Sequence, residues 1–263
     1  MDDHAKLSPS SPSASGPLGI KDVTTRRLKI LSYNVHSCVG TDRKLDPARI
    51  ADVIAELQPD IIGLQELDVG RRRSGGIDQA HAIASLLKMD FHFHPALRVE
   101  EEHYGDAILT ALPTRLIKAE ALPSYGEPRG ALWVEIDVAG RPLQVFNTHL
   151  GLLRRERLRQ SAILAGPEWI GHRQATGRPR LLIGDFNSIP SSPAYRNLAA
   201  TMRDIRQETG KLAGRTFPSR FPLLRLDHVF VADGPRIVSA QAISTPATRL
   251  ASDHLPLLLS VDF

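Results

Sequence analysis

The sequence predicts a single α+β domain in which mixed β-sheets carry helices on their outer faces. Short apolar runs alternate with turn clusters from Leu28 to the end of the chain. Strand–helix–strand patterns come first, hairpins follow, and another strand–helix unit comes after them. This order is typical of mixed sheets with external helices. No linker-like segment interrupts residues 27–263, so we expect one domain over that range.

The first predicted helix, DPARIADVIAEL at 46–57, shows how the elements are identified. Asp46 suits the N-cap, and Pro47 suits the first helical turn because it lacks an N–H that the helix would leave unpaired there. Apolar residues then recur on one face. Pro59 ends the helix, because proline disfavours the helical conformation in the residue before it.

The other elements follow from the same periodicities. Strands are predicted at 28–35, 60–67, 91–96, 105–111, 115–121, 130–138, 142–149, 180–185, 226–231, 236–243 and 256–262. Helices are predicted at 46–57, 78–87, 153–172 and 192–200. We expect Pro167 to distort the third helix, and VAGRP at 138–142 to form a hairpin turn.

The composition excludes several classes of protein. The 263 residues include 42% hydrophobic and 24% charged residues, as in globular proteins with a sizeable core. A single cysteine, Cys38, excludes an intramolecular disulfide and a cysteine-rich zinc site. No apolar run has the length of a membrane-spanning helix. The net charge of +4 would accept a phosphate substrate but is far below that of a protein that coats nucleic acid.

The first residues differ from the rest of the chain. Residues 1–26 contain the Ser/Pro-rich stretch LSPSSPSASGPLG, which has too few large apolar side chains to offset its ordering entropy. We therefore predict a disordered tail at 1–26. It lacks the continuous apolar segment of a signal peptide, so a cytoplasmic location is expected, and we also expect a monomer.

Polar side chains stand near one end of six predicted strands. They are Asn34, Glu66, Asn147, His149, Asp185, Asn187, Asp227, Asp253 and His254. Any one of them alone is more often a cap or a turn former. Glu66 is harder to explain in this way, because it follows the apolar run DIIGLQ, and a buried glutamate is rare unless it is paired or coordinates a cation.

Convergence of these strand ends would create a site of carboxylates, amides and imidazoles. The carboxylates would repel one another without a cation between them, and oxygen-rich ligation without thiolates suits Mg²⁺ or Mn²⁺. Such a cation stabilises charge that develops on a phosphate during in-line displacement. Asp185 can orient or deprotonate a water, and an Asp227–His254 pair would fix the tautomer of the imidazole.

In this order, the motifs resemble those of the endonuclease/exonuclease/phosphatase superfamily, the metal-dependent phosphoesterases with a four-layer α/β/β/α sandwich of two mixed sheets. The likeness covers about residues 28–263. The matching motifs are LSYNV, IIGLQELD, YGDAILT, EPRGAL, FNTHLG, LIGDFNSIP, RLDHVFV and SDHLPLLLSV. An early QE with GDFN and a late SDH is a specific combination, whereas any one motif alone is weak.

The resemblance implies which residues hold the metal. Glu66 is the central ligand, Asp253 helps to hold the cation, and Asn34 binds it or supports its ligands. The resemblance counts Asp185 among the metal ligands, in addition to its role with the attacking water. The implied cofactor is Mg²⁺ or Mn²⁺.

The resemblance also implies how the phosphoester substrate is handled. His149 and Asn187 contact the scissile phosphate. Asp185 aligns or activates the water. His254, oriented by Asp227, acts on the phosphate or on the water.

Two positions depart from the family pattern. Nuclease members commonly carry an acidic or amide residue where this chain has His36, and a neutral imidazole is a poorer Mg²⁺ ligand, which puts in doubt a second-metal arrangement like that of the DNA-repair members. Asp106, in YGDAILT, stands where members often have Asn; it binds a cation, pairs with Arg129 or faces away. We place Arg129, in EPRGAL, and Asp106 among the residues expected to bind substrate.

The loop GRRRSGG at 70–76 has two interpretations, a solvated loop or a loop that attracts an anionic substrate. The sequence favours a phosphodiesterase for lipid headgroups or small-molecule phosphodiesters. The alternative of a DNA or RNA nuclease is weaker, because aromatics are only 5% of residues and no basic stripe is present; no stable nucleic-acid partner is expected. A non-catalytic binding protein on a degenerate fold would have lost ligands, and this chain retains them all.

Overall fold

The computed structural model describes residues 25–205 and 214–263. The predicted tail at 1–26 lies outside these residues except at its end, where Arg26 exchanges two backbone hydrogen bonds with Phe263. Among the helices of the described ranges, none has both the length and the apolar run that crossing a bilayer requires.

The elements follow the predicted order closely. The strands are β1 (Arg27–Asn34), β2 (Ile61–Val69), β3 (Asp90–Val99), β4 (Glu102–Thr110), β5 (Thr114–Leu122), β6 (Arg129–Val138), β7 (Arg141–His149), β8 (Arg180–Asp185), β9 (Arg203–Asp204), β10 (Asp227–Ala232), β11 (Arg236–Ala242) and β12 (Leu257–Asp262). The helices are α1 (Pro47–Leu57), α2 (Gln79–Leu87), α3 (Arg154–Ala165), α4 (Pro193–Ala199) and α5 (Pro246–Ala251).

Two mixed six-stranded sheets pack face to face, which confirms the predicted fold class. Their strand orders are β11-β12-β1-β2-β4-β3 and β5-β6-β7-β8-β10-β9. Along β1, Ile30 joins the apolar core between the sheets, whereas Leu31 joins the core under α1 and α2. Trp133 of β6 packs with Leu164 of α3 on the outer face of the second sheet. Alternate residues of a strand point to opposite faces, so each sheet contributes both to the core between the sheets and to an outer core under its own helices. The result is four layers: helices, sheet, sheet and helices.

The helix ends follow the local sequence signals. Asp46 accepts a hydrogen bond of 3.0 Å from the Arg49 N–H at the start of α1, and Asp78 accepts one of 2.9 Å from the His81 N–H before α2. These caps satisfy N–H groups that have no partner within the helix.

The prediction of a helix at 153–172 is wrong in length. Helix α3 ends at Ala165, and Gly166 is extended with φ −77° and ψ 178°. The physical reason is Pro167, which disfavours the helical conformation in the residue before it. Helix α5 and the short strand β9 were not predicted, because six and two residues are too few to show a periodicity.

The two sheets approach closely beside the polar strand ends. A Cβ on Gly63 of β2 would lie 2.5 Å from Cδ1 of Ile183 in β8, so a larger residue would require the Ile183 side chain to move. Nearby, Gln65 Nε2 donates to Asn147 Oδ1 at 2.7 Å. Asn147 Nδ2 in turn donates to the carbonyls of Leu64 and Ala107, both at 2.9 Å. Asn147, which stood among the polar strand ends in the sequence, therefore ties the two sheets together.

Candidate active site

Strand register brings the polar ends of both sheets to one place. In the second sheet, Asp185 pairs with His149 in the parallel register of β7 and β8 and with Asp227 in the antiparallel register of β8 and β10. In the first sheet, Asn34 ends β1 opposite Gln65 of β2. The site is therefore built from the ends of five strands that sequence patterns alone leave far apart.

Glu66 is aimed into the site by an irregularity in β2. The pairing of β2 with β4 shifts between Leu64 and Leu67, and the Glu66 backbone is left-handed with φ 63°. Asn187, after β8, is also left-handed with φ 46°. Such conformations are unfavourable for residues other than glycine, and they concentrate at functional sites.

The amide of Asn34 joins the two carboxylates at the centre of the site. Its Nδ2 donates to Glu66 Oε1 at 2.9 Å and to Asp185 Oδ2 at 3.0 Å. Its Oδ1 accepts the backbone N–H of His36 at 3.0 Å. In this arrangement Asn34 supports the two carboxylates, and direct metal ligation by Asn34 remains a prediction.

Asp185 and Asn187 are held by the turn that follows β8. Asp185 Oδ1 accepts the Asn187 backbone N–H at 2.8 Å. The Asn187 side-chain amide donates to the Leu150 carbonyl at 2.9 Å and lies 3.0 Å from His149 Nε2. Burial lowers the pKa of His149 well below its ordinary value, and the nearby charges of Arg129 and His254 lower it further. The His149 imidazole is therefore neutral.

His254 lies between two carboxylates. Its Nδ1 is 2.8 Å from Asp227 Oδ2, and its Nε2 is 3.5 Å from Asp185 Oδ2. The Phe217 ring packs against it, with ring centroids 4.9 Å apart. Burial acts to lower the pKa of His254, but Asp227 and Asp185 outweigh that effect and raise it to about 10. The imidazole is thus a cation at neutral pH, and the contact with Asp227 is the pairing expected from the sequence.

The carboxylates favour a bound cation. Burial raises the pKa of Asp185 to about 6, with Asp227 adding to the rise. Burial and the neighbouring Asp253 raise the pKa of Glu66, against the effect of the Asn34 hydrogen bond. Carboxyl groups that resist ionisation for these reasons are stabilised as anions by a hard divalent ion. The donors present, oxygens and imidazole nitrogens without thiolate, fit Mg²⁺ or Mn²⁺.

Two overlapping sets of residues offer ligands for such an ion. Asp185, Asp227 and His254 have ligand atoms within 4.8 Å of one another. Glu66 and Asp185 form the second set, since both accept from one amide group. The second set fits a hard cation better, because Asp227 is fully buried and engaged with the His254 cation.

Asp253 and His36 form the open edge of the site. Asp253 Oδ1 lies 4.0 Å from His36 Nδ1, with side-chain exposures of 37% and 47%. His36, Ser37 and Cys38 are consecutive left-handed residues with φ of 49°, 49° and 57°. The Gln79 side chain secures this turn by donating to the Ser37 carbonyl at 2.7 Å. Asp253 remains a predicted ligand that faces this edge.

Asp106 is buried beside Glu66, and the substrate-binding role predicted for it remains a prediction. Its side chain is only 3% exposed, and the nearby backbone of Glu66 acts to lower its pKa. Burial raises its pKa to about 8 even though the charge of Arg129 lowers it. We expect Asp106 to help position the backbone of the central carboxylate.

Arg129 lies in the wall of the site, and direct contact with substrate remains a prediction for it. It is 4% exposed, and its Nη1 lies 2.7 Å from Glu127 Oε2 and donates to the Tyr104 hydroxyl at 3.2 Å. Its charge lowers the pKa of Asp106 and of His149. Tyr104 is the first residue of the YGDAILT motif, but the sequence assigned it no role.

A cavity of about 360 Å³ opens beside Glu66. Its lining includes Tyr104, Glu127 and Arg73. Arg73 donates from Nε and Nη2 to the buried carboxylate of Asp68 at 2.8 and 2.7 Å, and its guanidinium lies 5.4 Å from the centroid of the Tyr104 ring. Of the two interpretations of the 70–76 loop, this position is compatible with contact between Arg73 and an anionic substrate.

Comparison with known proteins agrees with this geometry. The sequence profile described as Endonuclease/Exonuclease/phosphatase family matches residues 31–254. Uncharacterized protein YbhP of Escherichia coli (strain K12) is 29% identical over 242 residues, which cover 87% of this chain and 94% of that protein.

Solved structures show the same fold. The endonuclease/exonuclease/phosphatase from Beutenbergia cavernae DSM 12333 has a TM-score of 0.71 and 24% identity over 90% of this chain and 72% of that chain. The mannosyl-6-phosphatase Bt3783 of Bacteroides thetaiotaomicron VPI-5482 has a TM-score of 0.71 and 20% identity, over 90% of this chain and 100% of that chain. With the profile match over most of the sequence, the predicted resemblance is confirmed: the chain belongs to the endonuclease/exonuclease/phosphatase family, whose members hydrolyse phosphoester bonds.

Proposed function

We propose that this protein is a divalent-metal-dependent phosphodiesterase that acts on lipid headgroups or small-molecule phosphodiesters. The observation that carries the proposal is the Asn34 amide, which holds Glu66 Oε1 and Asp185 Oδ2 at 2.9 and 3.0 Å on either side of it. The His254 cation stands 3.5 Å from the same Asp185 oxygen. Paired carboxylates beside a cationic imidazole are suited to hydrolysis at phosphorus.

Glu66, Asp185 and Asp253 would hold Mg²⁺ or Mn²⁺, which supplies charge neutralisation at the phosphate when bound. Side chains of the protein activate the water and stabilise the charge that develops on the phosphate. Asp185 orients the attacking water or takes its proton. His254, kept positive by Asp227, stabilises negative charge on the phosphate oxygens or donates a proton.

His149 and Asn187 bind the phosphate from the second sheet. Both are held in place by the protein, since the Leu150 carbonyl accepts from the Asn187 amide at 2.9 Å and β7 buries His149 to 2% exposure. A neutral imidazole and an amide offer hydrogen bonds to phosphate oxygens without adding a fixed charge. Complete retention of this set argues against a non-catalytic binding protein.

The preference for a compact phosphodiester rests on charge and on the cavity. The net charge of +4 is small for tight binding of a long polyanion. The cavity beside Glu66, about 360 Å³, has Arg73 and Glu127 in its lining. A mixed lining of this size suits a headgroup that carries hydroxyl groups better than a duplex, which requires a continuous row of phosphate contacts.

The test is a panel of substrates with matched Mg²⁺, Mn²⁺ and chelator. It compares kcat/KM at physiological salt for bis-p-nitrophenyl phosphate, p-nitrophenyl phosphate, plasmid DNA and detergent-dispersed phospholipid. The proposal expects metal-dependent turnover of the diester and the phospholipid. Efficient nicking of plasmid with negligible turnover of the others would support a nuclease, and preference for the monoester would support a phosphatase.

A further inference from the structure

The most exposed large apolar side chains of residues 25–205 and 214–263 lie on loops that adjoin the active site. Phe221 is 76% exposed, Leu152 68% and Leu223 64%. Exposed side chains of this size are normal when they are scattered, but clusters around a site mark an interaction surface. Their positions relative to His149 and His254 decide what they contact.

The first cluster, which we call the α3 patch, consists of Tyr125, Leu152, Leu153, Arg154 and Arg155. All five side chains are exposed, and Leu152 follows the site residue His149 by three positions. The Arg155 guanidinium lies 4.2 Å from the centroid of the Tyr125 ring. The patch is therefore a fixed surface at the His149 side of the site.

The buried carboxylate of Glu156 ties the segments of the α3 patch together. It accepts the backbone N–H groups of Tyr125, Gly126 and Leu153. Two separate loops consequently present their apolar side chains next to each other.

The second cluster, which we call the 220–250 patch, consists of Arg220, Phe221, Leu223, Arg249 and Leu250. All five are exposed. Four of them line a shallow cavity of about 440 Å³, namely Arg220, Phe221, Arg249 and Leu250.

The 220–250 patch adjoins the His254 side of the site. The Ser219 N–H donates to the Asp253 carbonyl at 2.7 Å. Phe217, four residues before Phe221, packs against the His254 ring at 4.9 Å. The catalytic strand ends thus have one apolar patch on the His149 side and another on the His254 side.

The charged residues around the two patches indicate which kind of partner the patches bind. Residues 152–159, LLRRERLR, contain four arginines and the carboxylate of Glu156, which is 1% exposed and engaged by backbone N–H groups. Around the 220–250 patch, Arg220 and Arg249 are exposed, whereas Asp42 is paired with Arg49 at 2.9 Å. Both patches therefore show solvent an apolar surface bordered by cations.

An apolar surface with a cationic border fits the interface of an anionic lipid bilayer. Leu and Phe side chains insert at the level of the acyl boundary, while arginines remain with the anionic headgroups. A protein partner would match the apolar area equally well, but it would not explain why cations border both patches and why the active site lies between them. A membrane places its own phosphodiesters there.

We propose that the α3 patch and the 220–250 patch together dock this protein on the surface of an anionic lipid bilayer. The inference deepens the proposed function and rests on it in one respect: the docked site would face lipid headgroup phosphodiesters. Docking itself is independent of turnover, so the two can be tested separately.

The test measures binding of the full chain to sedimented vesicles in the presence of chelator, so that turnover does not intervene. Vesicles of phosphatidylcholine alone are compared with vesicles that contain phosphatidylglycerol. The proposal expects binding that requires the anionic lipid and weakens as salt is raised. The variant L152S/F221S is expected to bind roughly tenfold more weakly for each apolar side chain removed.

The matched control is L86S/L116S. Leu86 on α2 and Leu116 on β5 are 58% and 42% exposed, and both lie toward the ends of their elements that are remote from the site. This control should bind vesicles like the wild type. A second pair, R154Q/R155Q, should lose several-fold in affinity for anionic vesicles, because each arginine contributes to attraction by the surface charge.

Hydrolysis of soluble bis-p-nitrophenyl phosphate separates this proposal from the proposed function. L152S/F221S should retain wild-type turnover of that soluble substrate. Wild-type binding of vesicles by L152S/F221S, or no binding by the wild type, would overturn the docking proposal whatever the activity. A dimer in solution that L152S/F221S converts to a monomer would assign the patches to a second copy of the chain and would also overturn it. Absence of metal-dependent hydrolysis with intact vesicle binding would count against the proposed function alone.

Discussion

His254 Nδ1 lies 2.8 Å from Asp227 Oδ2, in a pair in which both side chains are buried. Asp227 is the largest influence that raises the pKa of His254, to about 10, against the opposite effect of burial. The pair therefore holds the positively charged His254 imidazole with its Nε2 3.5 Å from Asp185 Oδ2. A buried charge pair of this kind is costly unless both members are retained.

We expect Asp227 and His254 to act as one unit in catalysis. H254A should lower kcat by about a hundredfold or more, the scale of acid–base and electrostatic contributions. D227N should lose less, because it removes only the group that orients and charges the imidazole. The double variant should be no worse than H254A, as measured by steady-state kinetics at saturating metal. Losses that multiply would contradict a shared unit.

E66Q should weaken metal binding and turnover together. The change removes the negative charge of the central carboxylate while keeping its size. The measurement is Mn²⁺ affinity by calorimetry alongside kcat/KM for a soluble diester, and we expect losses of about a hundredfold in each. D52N, on the exposed face of α1, is the matched control and should leave both quantities unchanged. Wild-type metal affinity in E66Q would remove Glu66 from the ligand set.

Substitutions of Asp106 test whether it positions Glu66. D106N keeps an oxygen that can accept the Glu66 N–H, whereas D106L offers none. D106L should lower kcat/KM by about a hundredfold, because a displaced catalytic group loses much of its effect, and should lower Mn²⁺ affinity in parallel. D106N should restore most of both. Equal losses in the two variants would instead indicate that the carboxylate charge itself contacts metal or substrate.

Glu156 is expected to make stability depend on pH in the acid range. Burial acts to raise its pKa, but hydrogen bonds from Tyr125, Gly126 and Leu153 outweigh burial and lower the pKa below the ordinary value of 4.5. A carboxyl whose pKa is lower in the folded state adds stability above its unfolded pKa. That contribution is lost as pH falls through the lowered folded value.

E156Q should therefore lower the free energy of unfolding at pH 7 by about 1 to 3 kcal/mol, because buried N–H groups lose their charged acceptor. The difference from the wild type should shrink as pH falls below 4.5, the ordinary value. Chemical denaturation across that pH range measures it. E168Q, at a glutamate whose side chain is 75% exposed, should show no such difference. A gap between E156Q and wild type that is the same at every pH would contradict the charge assignment.

Sequence patterns predicted the elements where the signals are local. Asp46 and Asp78 cap their helices through contacts within three residues, so the sequence contains both partners. Apolar alternation located the strands for the same reason. The helix predicted at 153–172 was too long, because the sequence pattern continues past Pro167 whereas the helical backbone ends at Ala165.

The sequence predicted which residues form the site, but it did not predict the roles of all of them. Asn34 was predicted to bind the metal or to support its ligands, and only the contact of its Oδ1 with the His36 N–H at 3.0 Å shows which side of the amide faces the carboxylates. Asp106 was predicted to bind substrate, and the sequence gives no sign that its side chain is only 3% exposed beside Glu66. Both roles depend on orientation.

The sequence by itself determined the strand ends that carry Glu66, Asp185 and His254 and the helices between them, because capping, turn chemistry and apolar periodicity act over a few residues. Only the tertiary structure decided that Asn34 would meet Asp185, 151 positions away, at 3.0 Å. It also decided that exposed leucines and arginines from distant loops would flank the site. Such long-range contacts depend on sheet register and on the packing of the two sheets, which are determined by the chain as a whole.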